Sequence, residues 1–147
     1  MSFFSFLRPK GRALEHPRFG KLVYTGERTW ESGQAFFPPL NKVVELLIEA
    51  GPAGPDERHE QFFDELVSRW GALNQQWEPF VRDALKDWTE AATAENLSEY
   101  IDVQCIAVLA EVGADQEWEI QLWCEEIGHW PTIVMRGWTP QTCFLDG

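Results

Sequence analysis

Cys105, Cys124 and Cys143 recur at intervals of nineteen residues, the first pattern in this chain that invites a chemical reading. On successive strands of a meander, that spacing brings thiols near one another, with His129 on an adjoining turn. A structural zinc site takes about four sulfur or nitrogen ligands in a tetrahedron and usually draws two of them from one close Cys pair. No close pair occurs here, so neither a metal nor another cofactor is expected. Cys124 falls on the apolar side of its local alternation and reads as a small buried hydrophobe. His59-Glu60 opens like a zinc-protease helix, but Phe63 stands where the second histidine is required. No nucleophile elbow supports a Cys–His or Ser–His–Asp site around the three histidines, and His16 and His129 read as surface or rim residues. No catalytic residue is assigned, and an enzyme is the less favoured reading.

Charge carries more information than any motif. The net charge is −12, yet the first 28 residues hold six bases against two acids, and the remainder holds six bases against twenty-two acids. A field of that sign repels nucleic acid and attracts basic proteins. Two acidic groups are candidates for docking a basic partner: Asp56, Glu57, Glu60, Asp64 and Glu65 on one side of a helix, and Glu117, Glu119, Glu125 and Glu126 around a strand. Such a surface steers association and makes it sensitive to salt. Eight tryptophans are many for 147 residues. Most read as core and rim, since Trp is largely buried with its N–H near water. Trp123 and Trp130 are the candidates for display beside the acids. With a carboxylate pair they could instead serve a hydrolase or carbohydrate-binding enzyme, as a sugar platform.

These groups need elements to position them. Residues 1–18 read as a leader: an apolar knot, Phe3-Phe4-Ser5-Phe6-Leu7, then Arg8-Pro9-Lys10-Gly11-Arg12. Its bases follow the apolar run, so it is no secretory signal, and the expected compartment is the cytoplasm. It could touch an anionic membrane surface weakly, through residues 1–12. An odd number of cysteines fits a reducing compartment. Residues 19–147 read as one domain. Phe19–Tyr24, Arg28–Phe37 and Val43–Glu49 are strand-like. The stripe Phe62, Phe63, Leu66, Val67, Trp70 predicts a helix, and Pro79 predicts the first turn of a second, with Phe80, Val81, Ala84, Leu85 and Trp88 as its stripe. Four strands follow, the clearest being Trp118, Ile120, Leu122 and Cys124 alternating with Glu117, Glu119, Gln121 and Trp123. The expected fold is α+β: a mostly antiparallel β-sheet with a two-helix hairpin inserted between the N-terminal and C-terminal strands.

Several strings carry a resemblance: His16-Pro17-Arg18-Phe19-Gly20-Lys21-Leu22, Trp30-Glu31-Ser32-Gly33, Ile48-Glu49-Ala50-Gly51, Gln61-Phe62-Phe63-Asp64-Glu65-Leu66, and the terminal strands through Trp138. With the leader, they resemble a family of small uncharacterised bacterial proteins, a domain of unknown function. More loosely, the chain is similar to immunity proteins encoded beside secreted toxins. The first resemblance implies no activity; the second implies neutralisation of a basic toxin or effector. Together with the charge, they point to a non-enzymatic acidic interaction protein. The sequence leaves its oligomeric state open.

Overall fold

The computed structural model describes residues 11–108 and 116–146. Eight strands form one sheet in sequence order: β1 (Ala13–His16), β2 (Gly20–Gly26), β3 (Thr29–Phe37), β4 (Lys42–Glu49), β5 (Asp102–Val108), β6 (Glu117–Trp123), β7 (Trp130–Arg136) and β8 (Thr139–Asp146). All neighbours pair antiparallel except β4 and β5, which run parallel. A parallel pair needs a crossover, and a single long helix, α1 (Glu57–Leu85), supplies it. Two four-stranded meanders are thus joined through one helix. β1 lies inside the stretch that the sequence marks as leader. Residues 1–10, which carry most of the membrane-contact reading, lie outside the described residues.

α1 corrects the expected helical hairpin. Its buried positions are His59, Phe62, Phe63, Leu66, Trp70, Leu73, Trp77, Val81 and Leu85, and apart from the adjacent pair Phe62–Phe63 they follow one another at steps of three or four residues. Burying this stripe on the sheet outweighs the local penalty of Pro79, which sits exposed within the helix and costs it only the bond to the Gln75 carbonyl on the solvent side. Asp56 caps the helix by accepting the Arg58 N–H at 2.9 Å, and the Nδ1 of His59 accepts the Asp56 N–H at 3.1 Å. That reciprocal pair is a capping box with histidine in the place usually held by Glu or Gln. His59 is buried, and its Nε2 donates to the Glu49 carbonyl at 3.0 Å, tying the helix start to the end of β4.

Alternation along the strands assigns each residue to one of two faces. The inner face meets α1: Phe62 packs edge-on against Trp118 at 5.2 Å and stacks with Trp138 at 4.9 Å, while Phe37 lies edge-on to Trp70 at 4.6 Å. Trp30, Leu46, Ile48, Ile106, Ile120, Leu122 and Ile133 complete this core. Of the tryptophans, Trp30, Trp70, Trp77 and Trp118 are buried, Trp138 packs on the core, and Trp88, Trp123 and Trp130 are left at the rim. No helix among the described residues is long and apolar enough to cross a membrane.

Candidate aromatic and acidic site

The register of β6 and β7 builds the site. Gln121 pairs with Thr132, so the same register carries Trp123 opposite Trp130 and closes at an isolated bridge between Cys124 and His129. Gly128, at φ +64°, makes the tight return, and its N–H donates to the Cys124 carbonyl at 3.0 Å. Only glycine takes that left-handed conformation without steric cost. Both indoles therefore emerge on the outer face, their centroids 4.7 Å apart and their planes tilted by 53°. The Trp123 Nε1–H donates to the Glu125 carboxylate at 2.6 Å, which locks the ring and holds an anion beside it. Glu126 is exposed in the same turn. Asp146, at the end of β8 opposite Trp130, accepts from the Thr132 hydroxyl at 3.1 Å. On the other side of this sheet end, His129 meets Trp88 edge-on at 5.0 Å, with Trp88 55% exposed.

The site gathers four of the residues singled out in the sequence: Trp123, Trp130, Glu125 and Glu126. It does not gather the others. Glu117 lies at the far end of β6, roughly 20 Å along the strand, and faces Arg136 at 3.7 Å. Glu119 projects from the outer face midway, where burial first, and then the Asp146 and Glu117 carboxylates, raise its pKa. The helix acids stand across the sheet, on the solvent side of α1, and most are already engaged. Asp56 is the cap, its carboxyl lowered to about 2 chiefly by the hydrogen bond from the Arg58 side chain. Asp64 pairs with Arg18, Glu65 with Arg69 at 2.7 Å, and Glu57 accepts from Gln61 at 3.3 Å. Glu60 is half-buried. The two acidic groups therefore do not make one continuous surface.

The thiols divide between faces as well. Cys124 and Cys143 belong to the core, as the alternation around Cys124 predicts, and Cys105 lies on the outer face. Cys143 has its pKa raised to about 12 by burial. Burial, with Glu45 and Glu119 nearby, pushes the Cys105 thiol up further. Such thiols are poor nucleophiles. Among the described residues, no group of three His, Cys, Asp or Glu side chains is placed to hold a metal ion.

Sequence reading missed two participants here, Trp88 and Asp146, and, away from this site, the capping role of His59. Trp88 follows the helix and gives no sign of which strand end it meets. Asp146 sits too near the end of the sequence to show alternation. His59 escaped because the capping-box pattern is read through Glu or Gln. Set against known protein families, curated proteins and solved structures, the chain matches none.

Proposed function

We propose that this chain is a non-enzymatic acidic interaction protein that binds a basic protein partner, with an arginine or lysine side chain of the partner seated on the Trp123–Trp130 pair. The observation that carries the reading is the two adjacent indoles with the Glu125 carboxylate fixed at the Trp123 edge. An aromatic face attracts a cation by about 0.5–2 kcal/mol, and a carboxylate at its edge adds a charge-assisted hydrogen bond. The net charge of −12 supports steering of such a partner. In its most concrete form, the protein covers the basic active site of a toxin or effector. The helix acids then contribute field instead of contact.

Titration of the full chain with hexa-arginine, followed by tryptophan fluorescence, tests this. Binding is expected to weaken about tenfold in Trp123→Ala and in Trp130→Ala, by the loss of one cation–π contact, and to weaken with added salt. Asp64→Lys is expected to leave it near the native value. Equal binding by the native chain and both tryptophan variants overturns the reading. A salt-insensitive response to oligosaccharides, lost in the same variants, favours the sugar platform instead.

A further inference from the structure

The sheet ends on β8, and two hydrogen bonds fix where the backbone groups of that edge strand point. At opposite ends of the β6–β7 ladder, the Cys124 N–H donates to the His129 carbonyl at 3.1 Å and the Gly137 N–H to the Gln116 carbonyl at 2.7 Å. Both pairs keep the register of the ladder between them. Antiparallel alternation therefore turns the backbone groups of Ile133 and Met135 towards β6, and those of Trp130, Thr132 and Val134 towards β8. Their partners Asp146, Phe144 and Thr142 face back. Gln141, Cys143 and Leu145 then direct N–H and C=O away from the sheet, and among the described residues nothing bonds to these groups. Such an edge is ordinarily blunted by a lysine, a proline or a bulge. β8 has Pro140 and a register shift, but both lie at its Thr139 end. From 141 to 146 it holds no base and one acid, Asp146. Its side chains divide by face. Cys143 and Leu145 pack half-buried on the core side. Phe144, 40% exposed, and Asp146 stand on the outer face, where Asp146 is opposite Trp130.

We propose that an extended basic segment of the partner adds to β8 as an antiparallel ninth strand, with apolar side chains on the core side alternating with arginines on the outer face. This deepens the function proposed above and rests on its reading of a basic partner. The alternation follows from the period of two along a strand. Residues opposite Cys143 and Leu145 share their face and meet apolar neighbours. Residues opposite Phe144 and Asp146 share the outer face, where an arginine finds the Asp146 carboxylate and, one strand further in, the Trp130 indole. Two strand spacings, about 10 Å, separate the ninth strand from β7, and an arginine and an indole span that distance together. Main-chain bonds supply affinity, and pockets for alternate side chains supply specificity. Antiparallel addition gives the more stable ladder. Charge selects the occupant: a second copy would bring its own −12 against this one, whereas a basic segment is drawn in.

The test uses the full chain and an acetylated, amidated peptide, Arg-Val-Arg-Val-Arg-Val, with two further forms N-methylated at the three valines or at the three arginines. In the antiparallel arrangement the valine N–H groups point at β8 and the arginine N–H groups at solvent. Methylated valines are expected to weaken binding at least about tenfold, by the loss of three main-chain bonds. Methylated arginines are expected to leave it near the parent value. The reverse order, equal binding by all three forms, or binding by none overturns the proposal. Equal binding by all three that is still lost in Trp130→Ala leaves the cation seat standing and removes only the ninth strand. Amide hydrogen exchange gives a second readout. Saturating parent peptide is expected to slow the Cys143 and Leu145 amides at least about tenfold and to leave Thr142 and Phe144, already bonded to β7, unchanged. Unslowed Cys143 and Leu145 amides overturn the proposal. So does slowing in the free protein as its concentration rises, which assigns the edge to a second copy.

Discussion

The two faces of this sheet are made from the same strands, yet they are held by different physics. The inner face is apolar and aromatic and meets a helix, so its stability comes from area removed from water and from close packing. The outer face carries Glu31, Glu45, Glu117, Glu119 and Asp146 among small apolar side chains. Burial first, and then the Asp146 and Glu117 carboxylates, raise the pKa of Glu119, and burial first, then Glu45 and Glu119, raises that of Cys105. One face is closed by apolar packing, and the other mixes carboxylates with partly buried side chains. Burial and charge conflict on the outer face, not where acids are most numerous. The acid-rich start of α1 has local partners for most of its charge; the buried Oε1 of Glu45 accepts no hydrogen bond among the described residues.

The sharpest test of that contrast is truncation on each side. Trp118→Ala removes a fully buried indole that meets both Phe62 and Trp138, and it is expected to cost about 3–5 kcal/mol in urea unfolding. Val134→Ala, two strand positions from the end of β7 on the outer face, is expected to cost less than about 1 kcal/mol. Similar losses at the two sites would mean that the faces are equally packed. Next in size is Pro79→Ala. It restores one backbone bond in the middle of the covering helix, and a gain of about 1–2 kcal/mol is expected, since proline inside a helix costs roughly 3 kcal/mol before relaxation. No gain would show that the helix is already bent to accommodate the ring.

Pro79 also shows how far the sequence can be read. Local rules place a helix start there, and they are correct about proline; they fail because the buried stripe from Leu73 through Trp77 to Val81 and Leu85 keeps its step, and tertiary burial decides between the two. Period-2 alternation in residues 117–124 was readable because its polar and apolar positions differ sharply, and it correctly assigned Cys124 to the core. β1 was not readable, being four residues long with leader-like charge around it. The site was half legible. Residue type marked Trp123, Trp130 and the acids of the turn, but only register brings the two rings together, and register depends on the Gly128 return. The parallel join of β4 to β5 left no local sign, because it is a property of the crossover. The burial of Glu31 and Thr132 was hidden for the opposite reason: polar residues on the face away from a helix read as solvated.

Smaller effects probe charge on the two sides. Asp56→Ala removes the cap of α1 and is expected to cost about 1 kcal/mol near neutral pH. The Asp56 carboxyl titrates at about 2 in the folded protein, below its ordinary value of 3.8. Its contribution is therefore present above about pH 4 and lost as pH falls towards about 2. The difference between native and Asp56→Ala midpoints is expected to shrink over that window.

Glu119 carries the opposite sign and gives the smallest change. Its folded pKa is raised, first by burial and then by Asp146 and Glu117, so the folded state holds this proton more tightly than the unfolded chain does. Stability then falls as pH rises through the interval between the unfolded and folded values, and the loss is complete above the folded pKa. Glu119→Gln keeps the shape and removes the charge, so it is expected to raise the urea midpoint slightly at neutral pH and to leave it unchanged in acid. An equal gain at both pH values would assign the effect to packing. A loss at neutral pH would mean that Glu119 is paired with a cation in the folded chain and that the outer face is more completely balanced than its described residues indicate.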